Sequence, residues 1–417
     1  MDNIILFHSD IQTAAQQAEK KIQPMFRHIE EVEQQNQHKV LSAFIQNRVG
    51  EQHLGSTSGY GYGDAGRDTL DRVFADIMGA EDALVRHNFV NGTHAITTAL
   101  YGVLRPGDVL LAATGKPYDT LEEAIGLRGE QVGSLKEWGV SYRQTDLLAD
   151  GQPDLDAIAK EVADKKVRLL HIQRSRGYSL RRSLSVSDIA DIIRTAKSVN
   201  PSVLVLVDNC YGEFVEVQEP THVGADLIAG SLIKNPGGGL AQTGGYIAGR
   251  ADLVEQCAFR LTAPGAGKEV GATLGQNRSM FMGLFSAPHV TAQALKTAVF
   301  AAALFEELGY AVTPTSDEMR TDIIQAICLE TPDKLVQFCQ GIQKGSPVDS
   351  FALPQPWDMP GYDSQVIMAA GAFTMGSSIE LSADAPLREP YAAWLQGGLN
   401  YFSGKFGVMM AAQELLK

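Results

Sequence analysis

The chain has 417 residues, 44% of them hydrophobic and 20% charged, and its formal net charge is −14. At ~150 residues per domain this is material for two or three domains with sizeable apolar cores, and it excludes a wholly disordered chain. The 41 Gly and 17 Pro follow no period, which excludes a collagen-like fibre, and the acidic balance argues against nucleic acid or an anionic membrane surface as partner.

Cys210, Cys257, Cys328 and Cys339 form no CxxC or Cys/His pattern, so they read as reduced core thiols of a cytoplasmic protein rather than zinc ligands. The N-terminal segment has no basic leader followed by a long apolar region, and no run of ~18 apolar residues occurs, so neither a signal peptide nor a bilayer span is expected.

In chain order, residues Asp10 to Gln46 predict one or two helices. A glycine-rich stretch, Gly55–Gly66, precedes a helix carrying Leu70, Val73, Phe74 and Ile77 at helical spacing. A short strand is expected at Ala83–Val85, a helix at Asn91–Leu104 and a strand at Val109–Thr114. Leu155, Ile158, Ala159 and Val162 form a helical stripe, VRLLHIQ (Val167–Gln173) a strand, and Ile189, Ile192, Ile193 and Ala196 a second stripe with Ser185 or Ser187 as cap. VLVLVDN (Val203–Asn209) is an almost unbroken apolar strand of the kind buried in parallel sheets. Alternation of this sort predicts an α/β fold with helices on both faces of a mostly parallel sheet.

The texture changes near Pro288. A long helix is expected from about His289 to Leu308, then strands in YAVTP and DIIQAICLE and a helix carrying Leu335, Phe338, Cys339 and Ile342. A loop with Pro347, Pro354, Pro356 and Pro360 leads to a strand at Phe373–Ser382 and a long C-terminal helix. The expected division is an N-terminal helical arm over 1–55, a large α/β domain over 56–287 and a smaller α+β domain over 288–417.

Two glycine motifs fail on context. GYGDAG (Gly61–Gly66) has the letters of a dinucleotide fingerprint, but QHLGSTSGY before it is no buried strand. APGAGKE (Ala263–Glu269) has Glu after Lys268 where a P-loop needs Ser or Thr. None of the nine histidines forms an HExxH-type pair, so no metal is expected.

The segment that carries chemistry is Val203–Gly249. Asp208 ends one apolar strand and Lys234 ends a second short apolar segment, followed at once by Gly237–Gly239. Ligands of open α/β sheets bind at the carboxyl ends of strands, where both residues would lie. A buried acid there needs a cationic or donor partner, which a protonated pyridine nitrogen supplies. A lysine in a desolvated pocket is expected to lose proton affinity and become a nucleophile. Asp with Lys is the pair that pyridoxal phosphate requires. The blander readings are a surface lysine before a glycine turn and an Asp-Asn turn cap.

DNCYGEF and SLIKNPGGG together resemble the fold-type I pyridoxal-phosphate enzymes of Cys/Met metabolism, transferase-like in fold. Within them the chain resembles the methionine γ-lyase-like family, also described as cystathionine β-lyase-like proteins associated with aluminium resistance. The resemblance runs from the Gly/Tyr stretch near Tyr60 to SSIELSADAPLR. It implies that Lys234 is the Schiff-base lysine, Asp208 the pyridinium partner and Ser231 a phosphate ligand. It implies that Gly92 and Thr93 offer amides to the phosphate and that Tyr118 stacks on the cofactor and serves as a proton donor. Tyr60, with Tyr62 as its rival, would reach the phosphate of a neighbouring subunit in a homodimer or homotetramer. Arg388 is the candidate for the substrate α-carboxylate. The Asn-Pro pair of related lyases is missing; in IQRSRGYSLRR (Ile172–Arg182), Gln173 and Arg176 are the alternatives for its cofactor contact. Arg174, Arg176, Arg181 and Arg182 either meet an anionic substrate or line a subunit contact.

The function these resemblances imply is a carbon–sulfur lyase. It would act on a methionine- or cystathionine-type amino acid by β- or γ-elimination, to thiol, 2-oxo acid and ammonia. The alternatives are transamination, retro-aldol cleavage, or a non-catalytic pyridoxal-phosphate binder linked to stress.

Overall fold

The computed structural model describes residues 6–359 and 364–416; Pro360, in the expected proline loop, lies outside them. Two helices open the chain, α1 (Ser9–Lys21) and α2 (Gln23–Gln46). The following stretch alternates: α3 (Ala65–Met78), β1 (Asp82–Arg86), α4 (Gly92–Val103), β2 (Val109–Ala112), α5 (Asp119–Ile125) and β3 (Ser141–Gln144). It continues with α6 (Leu155–Val162), β4 (Val167–Gln173), α7 (Val186–Val199), β5 (Leu204–Asp208), β6 (Leu227–Ser231), β7 (Gly245–Gly249) and α8 (Ala251–Leu261). The seven strands form one sheet in the order β1-β7-β6-β5-β4-β2-β3. Contacts are parallel from β6 to β3, and β7 runs antiparallel to both β1 and β6.

The unbroken apolar runs have their reason in this sheet. In β5, Val205 and Val207 enter one core with α3 and α7, while Leu204 and Leu206 enter another with α4 and α8. Both faces are covered, so both sets of alternate residues must be apolar. Ser185 caps α7 in a reciprocal arrangement with Asp188, which settles the choice between Ser185 and Ser187.

The remaining elements are α9 (Asn277–Glu307), β8 (Val312–Thr313), β9 (Gln325–Cys328), α10 (Pro332–Lys344), β10 (Val366–Ala370), β11 (Ser382–Pro386), β12 (Ala392–Gln396) and α11 (Tyr401–Glu414). Their five strands form a second, antiparallel sheet, ordered β10-β11-β12-β9-β8. Its core takes in α9, α10 and α11 and also Ile11, Ala15 and Ala18 of α1, so the N-terminal helix packs against the C-terminal sheet.

Two expectations are corrected. The helix expected to begin near His289 begins at Asn277 and runs through Pro288. Proline there removes one backbone bond, but Met280, Phe281 and Leu284 are buried in the core of the first sheet and Val290 to Phe305 in that of the second. Apolar burial on both sides outweighs the lost bond. The strand expected at Phe373–Ser382 begins only at Ser382. Gly376 has φ +77°, and the Glu380 carboxylate accepts from the amides of Phe373 and Thr374 (2.8 and 2.9 Å), which folds the segment back on itself.

Among the described residues, no helix is long and apolar enough to cross a membrane, and no three His, Cys, Asp or Glu side chains are grouped to hold a metal ion.

Candidate active site

The carboxyl ends of β5 and β6 carry the two residues that the sequence singled out, or lead directly into them. Asp208 is the last residue of β5, in register with Gln173 of β4 and Ala229 of β6. Its Oδ1 accepts from the Cys210 amide at 3.1 Å. Ser231 is the last residue of β6, and its Oγ accepts from the Ile233 amide at 3.3 Å. Lys234 follows as the chain leaves the sheet and enters a short turn at Asn235–Gly237.

The amino end of α4 faces the same place. Asn91 caps the helix: its side-chain oxygen accepts from the His94 amide at 2.8 Å, and its carbonyl from Ala95 at 3.2 Å. The Gly92 and Thr93 amides lie ahead of the first bond the helix closes, at the positive end of its dipole. A Cβ on Gly92 would lie 3.2 Å from the Ser231 Cβ and 3.4 Å from Cys210 Sγ, a close approach to the sheet that glycine makes without crowding. Thr93 and Thr120 hydroxyls are 2.7 Å apart.

Gly92, Thr93, Tyr118, Asp208, Ser231 and Lys234 all line one cavity of about 180 Å³. An anion-binding helix end and a serine hydroxyl, an acid, an amine and an aromatic ring are the donor set that a phosphorylated pyridine aldehyde needs. The residues present therefore fit pyridoxal phosphate.

The electrostatics correct one expectation. Lys234 does not lose proton affinity in this state. Burial lowers it, but Cys210, Tyr211, Asp208 and Glu213 together hold it above the ordinary lysine value. Its Nζ also sits 3.8 Å from the centre of the Tyr211 ring, a cation–π contact that favours the charged form. Burial pushes the Cys210 thiol and the Tyr211 phenol up as well. Glu213 is fully buried, accepts from the Tyr246 hydroxyl at 2.6 Å and is pushed up to about 8, chiefly by burial. Its second oxygen has no hydrogen-bond partner among the described residues.

Sequence reasoning missed Tyr211 and Glu213 as site groups. Both lie inside the quoted DNCYGEF motif, so position in the motif was the available signal. Arg174 turns inward at the end of β4, donating to Asn209 Oδ1 (2.8 Å) and Glu216 (2.6 Å), and so steadies the residue next to Asp208.

Two expected residues lie outside this cavity. Tyr60 is 77% exposed and stacks on Tyr62 with ring centres 5.6 Å apart; neither lines the cavity of its own chain. Arg388, exposed after β11, lines a neighbouring cavity of about 230 Å³ that shares Tyr118 with the first. Of the two alternatives, Gln173, the last residue of β4, keeps its side-chain amide oxygen without a partner among the described residues, whereas Arg176 donates to the Thr313 carbonyl at 2.9 Å.

The doubly covered sheet with an acid, a lysine and a helix end at its carboxyl edge defines a pyridoxal-phosphate enzyme of fold type I. A family model, methionine γ-lyase, matches residues 11–416. The chain belongs to the methionine γ-lyase family, and it is a pyridoxal-phosphate-dependent lyase of the carbon–sulfur kind. A crystal structure of a carbon–sulfur lyase involved in aluminium resistance from Clostridium novyi superposes with a TM-score of 0.95 at 51% identity. It covers 98% of this chain and 96% of its own. A Bacillus subtilis protein, YnbB, is 49% identical over 414 residues, 99% of this chain and 98% of the relative. The pyridoxal-5′-phosphate-dependent protein YhfS of Escherichia coli shares the fold at 18% identity, with a TM-score of 0.63 over 93% of this chain and 96% of its own.

Proposed function

We propose that the protein releases a thiol from a sulfur-containing amino acid by β- or γ-elimination, leaving a 2-oxo acid and ammonia. The observation that carries this reading is the convergence of Lys234, Asp208, Ser231 and the α4 amino end on one cavity. Lys234 holds the cofactor. The Gly92 and Thr93 amides and the Ser231 hydroxyl would hold its phosphate, and Asp208 would pair with its ring nitrogen. When bound, pyridoxal phosphate withdraws electrons from the substrate Cα and so acidifies its proton.

The amine of Lys234 then takes that proton as general base. Its proton affinity with substrate in place differs from that seen here, because the cofactor displaces the balance of charges around it. Tyr118, between the two cavities, donates a proton to the departing sulfur. A sulfur on Cβ can then leave directly, whereas one on Cγ leaves only after a proton has also been taken from Cβ; in either case cleavage of the C–S bond leaves an unsaturated amine, which water converts to 2-oxo acid and ammonia. Arg388 holds the α-carboxylate by a paired, planar contact.

The site is completed in a homodimer or homotetramer, where Tyr60 of one subunit reaches the phosphate of the next. The exposure of Tyr60 and its absence from its own cavity support that reading. The buried state of Cys210, Cys257 and Cys339, none in a disulfide, supports a reducing, cytoplasmic setting.

Incubation with methionine, cystathionine and cysteine, with assay of thiol and 2-oxo acid, tests the reaction. Release of neither product from any of them, by protein that holds its cofactor, would remove the lyase reading.

A further inference from the structure

The turn after β5 holds two aromatic residues in the left-handed backbone region: Tyr211 has φ +72° and Phe214 φ +62°. A Cβ is crowded there, so such residues stay only where their surroundings over-determine them. Asn209, at the head of the turn, accepts from Arg174 at 2.8 Å and donates to Glu219 at 2.9 Å. The other oxygen of Glu219 accepts from the Phe214 amide at 2.9 Å, and Arg174 and Glu219 are both fully buried. At the far end of its side chain, the Tyr211 hydroxyl donates to Ser378 Oγ at 3.0 Å. The ring packs against the cluster of Ile324, Ala326, Ala392 and Trp394 beside the second sheet. Backbone and hydroxyl thus pin the ring from two sides, with its centre 3.8 Å from Lys234 Nζ.

The other groups around the amine show what the ring adds. Asp208, Cys210 and Glu213 face it from the end of β5 and the turn, and Asp384 faces it from β11. In the reading above, Asp208 is engaged by the nitrogen of the cofactor. Burial pushes Glu213 up to about 8, so at neutral pH it keeps its proton, and it pushes the Cys210 thiol and the Asp384 carboxyl up as well. A group that carries its proton lends an ammonium no charge. The face of an aromatic ring is negative at any pH, and it acts most strongly where water is excluded.

We propose that Tyr211 is a further catalytic residue: its ring face seats the Lys234 amine once the substrate has displaced it from the cofactor, and stabilises the ammonium formed when that amine takes the Cα proton. The inference rests on the reading above, in which Lys234 carries the cofactor. In the step itself the Cα–H bond breaks, an N–H bond forms on Nζ, and the bonding pair stays with the substrate carbon.

The test replaces Tyr211 by phenylalanine bearing from none to several ring fluorines. Fluorine drains the negative face with little change of shape, so the series separates charge from packing. Tyr211→Phe is its reference, because it keeps the ring and drops only the hydroxyl. In the apoprotein, the rate at which acetic anhydride labels Lys234, read by peptide mass spectrometry, follows the fraction of free amine. It should rise by ~10-fold or more across the series. In the holoenzyme, exchange of the Cα hydrogen of L-methionine or L-cystathionine in deuterated water should fall by a similar factor. A thermal melt of each variant checks that the turn is intact. Labelling and exchange that stay flat across the series, with borohydride trapping the cofactor on Lys234, overturn the proposal. Trapping on another lysine would instead sink the reading of Lys234 itself. If neither amino acid exchanges, the labelling series decides alone: a rise supports the seat, and a flat series overturns it.

Discussion

The cavity around Lys234 and the cavity beyond Tyr118 share a tyrosine and little else. The first is made at strand ends and a capped helix start, with an acid at the end of one strand and an amine just beyond the next. Its positions are fixed by sheet register, and positive and negative groups are matched. The second is made from the segment after β2, the loop after β4 and the residues that follow β11. Arg176 and Arg181, on its wall, donate to neutral backbone carbonyls. Regular backbone thus positions the residues proposed to seat the cofactor.

Changes at the two cavities should therefore fail in different ways. The largest effect belongs to the first. Lys234→Ala should lower 2-oxo acid formation by on the order of 10³-fold or more and abolish borohydride-trapped cofactor at that position, read by absorbance and peptide mapping. Asp208→Asn keeps the shape and removes the charge. It should weaken cofactor binding by roughly 10- to 100-fold, the worth of a charged hydrogen bond, measured by titration of the apoprotein.

Glu213 offers a pH test. Its carboxyl is raised from 4.5 to about 8 in the folded chain. A group raised on folding stabilises fully below its unfolded value, and the benefit is lost as pH rises through the folded one. Between about pH 5 and 8 the unaltered protein should lose stability, at a slope approaching ~1.4 kcal/mol per pH unit from this group. Glu213→Gln should lack that contribution, so melting curves of the two should diverge as pH rises; parallel curves would contradict the assignment. The smallest effect is expected for Asn91→Ala, which removes the α4 cap. A loss of ~1 kcal/mol of stability with weaker phosphate retention is the expected outcome by denaturant titration.

Much of the first cavity could be read from the sequence, and little of the second. Val203–Asp208 and Leu227–Ser231 are apolar runs ending in polar residues, so both strand and site were visible. Asn91–Gly92–Thr93 announced a helix start by ordinary capping chemistry. The direction of the Lys234 shift was not legible, because it depends on how Cys210, Tyr211, Asp208 and Glu213 gather around the amine in the fold. β11 and β12 were missed because SADAP and AAWLQ are alanine-rich and carry no β-branched signal. IQRSRGYSLRR disclosed four arginines but not their directions: Arg174 faces inward to Glu216, Arg182 pairs with Asp188, and Arg176 and Arg181 line the cavity.

The passage of α9 through Pro288 has a consequence for how the molecule can be divided. One 31-residue rod is shared by two cores. A scission at that proline would strip an oily stripe from each fragment, so neither sheet could be produced alone with its interior intact. The proline also lies between the two interiors, where the rod passes from one to the other.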